Sequence, residues 1–214
     1  MKAFWGRVCL GMACLGGAIF LSGPNLFAEN RGLIGSKLSA AEKTDFFVFF
    51  NFAPVGEEKH ADGTRATSFK PTGDAFKALV TLGVGTDASG AIAKLDLAVA
   101  RSFIDDPKNG IYAADLVKSF LGSAAATSAG DEVNSLAVEI NARTMMKMSG
   151  TLLTAQPLPQ VPATPSAAYQ TYAGNPQPQT LDYPSGKVQV MLRNESQSGK
   201  PVLELVAAAV AKGT

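Results

Sequence analysis

Two neighbouring stretches in the middle of the chain alternate between apolar and polar positions, and this alternation constrains the fold more than any other feature. Residues 76–85 (FKALVTLGVG) and 91–104 each place apolar side chains at every second position over most of their length. The residues between them, 86–90, read TDASG, which is typical of a turn. Alternation on both sides of a glycine-containing turn predicts an antiparallel β-hairpin with one dry and one solvated face.

A second hairpin is predicted near the end of the chain. Residues 187–193 (KVQVMLR) and 201–210 (PVLELVAAAV) flank a predicted turn at 194–199. The spacing of Lys, Val and Leu in 77–82 recurs in 187–192, and Leu-acid-Leu occurs in both hairpins. Two interpretations stay open, a weak internal duplication and the ordinary likeness of amphipathic hairpins.

Five phenylalanines within residues 46–52 form the most hydrophobic segment of this region. The β-propensity of aromatic residues predicts a strand here, buried on both faces or paired within a sheet. The polar residues 54–74, with Pro, Gly and Asp among them, are then expected to form a long loop.

Two later segments favour helices. In 111–125 the apolar residues recur at helical spacing, with Asp115 and Lys118 on the opposite side. Residues 131–148 fit either a strand or a helix, and the possible N-cap at Asp131 together with the length favours the helix. The chain is therefore predicted to be an α+β domain. It would contain an antiparallel sheet of two hairpins plus the phenylalanine-rich strand, with one or two helices on one face.

Proline and tyrosine concentrate in residues 157–184, which hold seven prolines and the residues Tyr169, Tyr172 and Tyr183. This proline density excludes a long helix or a central strand and predicts an extended strap. Tyrosines on an extended segment suit contact with a partner, so these three are the candidate binding residues. The alternative interpretation is a strap packed on its own domain, with the tyrosines as anchors.

Residues 1–28 have the layout of a secretory signal peptide. Lys2 and Arg7 precede the uncharged run 8–21, and Ala28 is the predicted cleavage position. An uncleaved anchor and a lipoprotein modified at Cys14 are the rival interpretations. Cleavage would leave one domain over residues 29–214, without a transmembrane anchor and without cysteine, since Cys9 and Cys14 are the only two. A periplasmic or secreted location is therefore expected.

The remaining composition argues against several activities. The whole chain has 19 basic and 18 acidic residues, and cleavage would remove two of the basic ones, Lys2 and Arg7. The cleaved chain would therefore have no excess of positive charge, so nucleic-acid binding by charge is not expected. A single histidine, His60, excludes a His-rich metal site, and Gly-x-Ser-x-Gly and Ser-x-x-Lys motifs are absent. The acidic pair Asp105 and Asp106 is interpreted as a turn before a helix. No catalytic residue, metal ligand or cofactor is predicted.

The expected function is that of an exported, non-catalytic cell-envelope protein that acts by binding or assembly. The expected partner is another envelope protein or a cell-wall polymer. The alternative is an extracytoplasmic hydrolase that uses carboxylates or a serine, with His60 as a possible base. Replacing His60 and single carboxylates would separate the two.

Overall fold

A computed structural model describes residues 32–125, 130–149 and 162–210 of the chain. The predicted signal peptide (1–28) and the first residues of the predicted strap (157–161) lie outside these ranges. The described residues form a seven-stranded antiparallel sheet together with helices, which is the predicted α+β class.

Seven strands and seven helices occur within the described residues. The strands are β1 (Phe52–Lys59), β2 (Arg65–Pro71), β3 (Val80–Thr86), β4 (Ile92–Ala100), β5 (Gln179–Asp182), β6 (Val188–Gln197) and β7 (Lys200–Ala209). The helices are α1 (Leu38–Ala41), α2 (Asp45–Phe49), α3 (Asp74–Lys77), α4 (Arg101–Ile104), α5 (Gly110–Ser123), α6 (Asp131–Ser149) and α7 (Ala167–Tyr172).

The two hairpins predicted from alternation are confirmed and form the centre of the sheet, although the strands of the first are shorter than predicted, because α3 (Asp74–Lys77) precedes β3 and α4 (Arg101–Ile104) follows β4. The strand order is β1-β2-β3-β4-β7-β6-β5, so the hairpins β3–β4 and β6–β7 meet through β4 and β7. The second hairpin is longer than predicted, because its turn is only Ser198 and Gly199, both with positive φ. Such a two-residue turn matches the twist of the flanking strands.

The register of the sheet agrees with the sequence likeness between the two hairpins. Leu82 lies opposite Leu97 in the first hairpin, and Leu192 lies opposite Leu205 in the second. Leu97 and Leu205 in turn lie opposite each other where the hairpins join. The pairs thus follow an approximate two-fold relation, and the duplication stays a hypothesis.

One face of the sheet is buried under the helices. Leu95, Leu97 and Leu205 are fully buried, while the side chains between them on β4 point to the opposite face. α5 and α6 were both predicted from their sequence pattern, and both contribute to the same core. None of the helices in the described ranges combines the length and the apolar character needed to cross a bilayer.

The prediction of a phenylalanine-rich strand is wrong. Residues 45–49 form the short helix α2, and only Phe52 belongs to a strand. A strand would have sent alternate rings to opposite faces of the sheet. The helix instead buries the adjacent residues Phe46 and Phe47 together, with Phe47 packed edge-on against Phe69 at 5.3 Å between ring centroids.

The prediction of a loop over 54–74 is also wrong, because most of this segment is the hairpin β1–β2. β1 is an edge strand whose residues from Pro54 onward are exposed, and its pairing shifts at Pro54 and Gly56. Proline, a bulge and charged side chains are common on edge strands because they oppose further pairing. An exposed edge strand has no hydrophobic alternation, so the sequence pattern did not reveal it.

The predicted extended strap is wrong for the middle of 157–184. The proline-free residues 166–175 contain α7, and the Ser166 side chain caps this helix by accepting a hydrogen bond from the Tyr169 backbone N–H (3.1 Å). After Pro178 the chain enters the short edge strand β5. The described prolines of this segment therefore lie outside its helix and its strand: Pro162, Pro165, Pro176, Pro178 and Pro184.

Candidate functional site

The three tyrosines predicted as binding residues are buried in the structure. Tyr169, Tyr172 and Tyr183 are 6%, 4% and 2% exposed, and all three belong to the hydrophobic core. Burial raises the pKa of Tyr172 to about 12. Of the two interpretations left open by the sequence, their burial favours the anchoring role, and partner contact by these side chains stays a prediction.

A buried carboxylate fixes the segment that carries Tyr169. Glu139 of α6 is 4% exposed and accepts hydrogen bonds from the Arg143 Nε (2.8 Å) and the Ser166 hydroxyl (2.6 Å). The Arg143 guanidinium lies over the Tyr169 ring, 5.0 Å from its centroid. Since both carboxylate oxygens of Glu139 already accept hydrogen bonds, we interpret this cluster as one that holds α7 against α6.

Among the charged residues considered from the sequence, His60 is exposed, whereas Asp105 and Asp106 border a small cavity of about 130 Å³ between α4, α5 and the end of α6. His60 is in the β1–β2 turn, where its Nδ1 is 3.9 Å from a Glu58 carboxylate oxygen and the side chain is 46% exposed. Asp105 pairs with Arg101 at 2.8 Å. Asp106 accepts hydrogen bonds from two backbone N–H groups that follow it, which lower its carboxyl pKa. Asp106 therefore stabilises the turn before α5, as predicted, whereas Asp105 pairs with α4 instead.

An apolar groove, here called the phenylalanine groove, lies between α2, α3 and the first half of α5. Its volume is about 340 Å³. Its lining is formed by Phe49, Phe50, Asn51, Pro71, Gly73, Phe76, Val80, Phe103, Tyr112 and Leu116. No charged side chain belongs to this lining, so the groove favours an apolar occupant.

The aromatic rings of the groove contact one another and are partly exposed. Phe76 lies 5.2 Å from Phe103 and 6.2 Å from Tyr112, measured between ring centroids. Phe49 is 76% exposed and Tyr112 is 56% exposed, although both rings are large and apolar. A phenylalanine left this far in water is an informative exception to burial, because such rings strongly favour removal from water.

The exposure of Phe49 follows from how α2 ends. Asn51 adopts a left-handed conformation with φ of 52°, which asparagine tolerates better than most residues. Its carbonyl oxygen accepts from the Thr72 backbone N–H at 3.0 Å, which ties this turn to the end of β2. The turn directs Phe52 into β1 and leaves Phe49 on the outside, against Phe50 at 5.0 Å.

A pair of carboxylates lies on the sheet face opposite the helices. Asp96 of β4 adjoins Glu204 of β7, and burial together with this neighbouring carboxylate raises the pKa of Asp96. The Lys94 Nζ lies 3.4 Å from Asp96, and Arg193 donates a hydrogen bond to Glu204. The group is therefore close to charge balance.

Sequence reasoning missed the phenylalanine groove because it assigned all five phenylalanines to a buried strand. The sequence did contain one signal. A single segment can hardly bury five rings within seven residues, so at least one ring, such as Phe49, had to remain at the surface. Phe76, Phe103 and Tyr112 come from three further segments, and only the fold brings them together.

Comparison with known proteins gives no family for this chain: no protein-family model matches it, and no characterised protein or solved structure matches it. Within the ranges 32–125, 130–149 and 162–210, no three His, Asp or Glu side chains are grouped closely enough to hold a metal ion. The fold and groove define a protein class only in general terms, a layer of helices on an antiparallel sheet with an exposed aromatic groove.

Proposed function

We propose that this chain is an exported, non-catalytic protein of the cell envelope that acts by binding another protein. The observation that carries the proposal is the phenylalanine groove, whose lining is apolar and whose rings Phe49 and Tyr112 remain exposed. Apolar surface that a fold does not cover itself commonly marks an interaction site.

A protein partner fits the groove better than a small molecule does. Small-molecule sites usually surround most of their ligand and orient it with a few polar groups. In this groove Asn51 and the Tyr112 hydroxyl are the polar side-chain groups of the lining. Val48, next to Phe49 on α2, is 63% exposed and extends the apolar surface beyond the groove. An apolar segment of a partner would cover this whole surface.

The test is a charge placed on the most exposed ring. Peptides selected from a random library on the purified protein should be rich in aromatic and aliphatic residues. Phe49→Asp should weaken their binding by about tenfold or more, since a central aromatic contact is commonly worth about 2 kcal/mol or more. Val138→Asp is the matched control, because Val138 is 52% exposed on α6 and does not line the groove.

Two results would count against the groove. Selection could yield only polar or charged peptides, or the apolar peptides could bind Phe49→Asp as well as they bind the wild-type protein. Because the Phe49 side chain is 76% exposed, its replacement is expected to leave the stability of the fold unchanged. Thermal unfolding of both variants provides that control.

The export part of the proposal is supported by the sequence of residues 1–28, with a basic start, an apolar run and Ala28 before Glu29. Expression of the full chain in a bacterium with a periplasm, followed by fractionation and N-terminal sequencing, tests it. The expected product begins at Glu29 and is found outside the cytoplasm. Recovery of a protein that begins at Met1 from the cytoplasm would refute export.

A hydrolase remains the second candidate, and the carboxylate pair Asp96 and Glu204 favours it. Two adjoining carboxylates, one of which has a raised pKa, are the usual material for acid–base catalysis. Hydrolysis of cell-wall polymers by the purified protein, lost in both Asp96→Asn and Glu204→Gln, would support this candidate. Absence of hydrolysis, or hydrolysis unchanged in both variants, would argue for the non-catalytic function.

A further inference from the structure

A second cavity, here called the polar cleft, lies at the other end of the same strands. It has a volume of about 450 Å³ and is bordered by α1, the β1–β2 hairpin and the β3–β4 turn. Val80 lines the phenylalanine groove and Thr86 lines the polar cleft, six residues apart on β3. At the rise of an extended strand these two lining residues lie about 20 Å apart.

The polar cleft interrupts the otherwise apolar inner face of the sheet. Thr67 lies opposite the inward-facing Val84, and Glu57 lies opposite Thr67 on the neighbouring strand. Arg65 and Thr86 form the next such pair. Thr67 and Thr86 thus occupy positions where the rest of the sheet places core side chains, while Glu57 and Arg65 continue the same rows at the surface, with side chains 44% and 57% exposed. Polar residues in core positions cost stability unless they serve another purpose, and such violations concentrate at functional sites.

The two threonines at the floor of the polar cleft are buried as residues, but their hydroxyl oxygens stay accessible from the cavity. Thr67 is 8% exposed and Thr86 is 5% exposed. Neither hydroxyl makes a hydrogen bond to any group of the described residues, and both residues line the cavity. Each hydroxyl is therefore free to donate and accept hydrogen bonds with water or with a ligand in the cleft.

The walls of the polar cleft carry charges of both signs. The Arg65 Nη1 lies 3.5 Å from the Glu57 Oε1, so most of its guanidinium donors remain available. Glu42, on the opposite wall, forms no ion pair within the described residues. Asp87 is already engaged, because the Ser89 hydroxyl and a backbone N–H donate to its carboxylate and lower its pKa.

We propose that the polar cleft binds a short peptide or amino acid with a free ammonium and a free carboxylate. Arg65 presents a planar set of donors that matches a carboxylate, and Glu42 and Glu57 supply the charge for an ammonium group. Thr67 and Thr86 bind the polar backbone between them. The volume lies within the usual range of small-ligand sites, roughly 300–1,000 Å³. This site is separate from the phenylalanine groove and does not depend on the protein-binding function proposed for it.

Calorimetric or NMR titration of the purified protein with L-Ala-L-Ala tests the proposal. N-acetyl-L-Ala-L-Ala lacks the ammonium group, and L-Ala-L-Ala-amide lacks the carboxylate, so each should bind more weakly. Arg65→Gln should weaken binding of L-Ala-L-Ala by about tenfold, since hydrogen bonds to charged groups contribute about 1.5–3 kcal/mol. It should also remove the preference for L-Ala-L-Ala over its amide.

Thr67→Val separates a binding role from a structural one. Valine keeps the shape of the buried side chain and removes a hydroxyl that has no protein partner, so the protein should unfold at the same temperature or a higher one. Binding of L-Ala-L-Ala should nevertheless weaken. Lys70→Gln is the control on the same strand, because Lys70 does not line the polar cleft. This variant should bind L-Ala-L-Ala as tightly as the wild-type protein does.

Either of two results overturns the proposal. The first is the absence of saturable binding of all three probes at about 10 mM, a concentration at which even a Kd of ~1 mM would be detected. The second is unchanged binding of L-Ala-L-Ala by Arg65→Gln, which is an exposed substitution and should fold normally. Phe49→Asp should bind L-Ala-L-Ala as the wild-type protein does, so failure at one cavity leaves the other proposal standing.

Discussion

Replacing Tyr183 by phenylalanine should destabilise the protein by removing a single hydroxyl group. Tyr183 follows β5 and is 2% exposed, and its hydroxyl donates a hydrogen bond to the backbone carbonyl of Leu121 in the last turn of α5. The carbonyls of a last helical turn lack partners within the helix. Here the partners come from elsewhere: the backbone N–H of Leu33 also donates to the Ser123 carbonyl at 2.9 Å.

The size of the effect follows from the geometry. Phenylalanine preserves the buried ring, so the apolar contribution is kept and only the hydrogen bond is lost. An acceptor left unsatisfied inside a protein costs about 1–3 kcal/mol. Taking about 2 kcal/mol, and a shift of roughly 2–4 °C per kcal/mol for a domain of this size, Tm should fall by about 4–8 °C.

Urea and thermal unfolding followed by far-UV circular dichroism measure this loss. Tyr112→Phe is the matched control, because Tyr112 is 56% exposed on the same helix and its unfolding free energy should change by less than about 0.5 kcal/mol. If Tyr183→Phe were as stable as the control, the hydroxyl would not cap α5. The reasoning about the end of this helix would then be wrong.

Two further substitutions test charged groups inside the fold. Glu139→Ala removes a 4% exposed carboxylate that binds Arg143 and Ser166. The free energy of unfolding, measured by urea titration, should fall by about 3 kcal/mol, because the Arg143 charge loses its partner. A loss under about 1 kcal/mol would contradict the role of Glu139 in holding α7. The folded-state pKa of Asp96 lies above its ordinary value of 3.8, so the folded protein holds this proton more tightly than the unfolded chain does. The contribution of Asp96 to stability therefore falls as pH rises from about 4 through the folded-state pKa. Over that interval the Tm of Asp96→Asn should rise relative to the Tm of the wild-type protein. A Tm difference between the two proteins that does not change with pH would contradict the raised pKa.

Much of the sheet and of the helical layer could be predicted because the relevant patterns are local. β3 and β4 each bury one face, so their sequences alternate, and the turn between them contains the residues that turns require. α5 and α6 show helical periodicity for the same reason. β1 could not be predicted in this way, since an exposed edge strand lacks a buried face.

The candidate sites depended on residues that are distant in the sequence. Phe49, Phe76 and Tyr112 meet only because the chain crosses the same end of the sheet three times. The hydroxyls of Thr67 and Thr86 could be assigned to one cleft only once the register placed the two residues at diagonal positions on neighbouring strands. No local pattern distinguishes such a threonine from one at the surface.

The sequence alone determined the α+β class, the two central hairpins and the helix α5, and it favoured a helix over a strand for α6. In each of these elements the apolar residues that face the core repeat every two residues in a strand or every 3.6 in a helix. Such an element can therefore be recognised without knowing which distant residues it contacts. The tertiary structure alone decided that Phe46 and Phe47 pack from a helix, that Phe49 stays exposed, and that Tyr183 reaches the end of α5. Those outcomes depend on which surfaces are left to cover once the sheet has formed, and only long-range packing determines that.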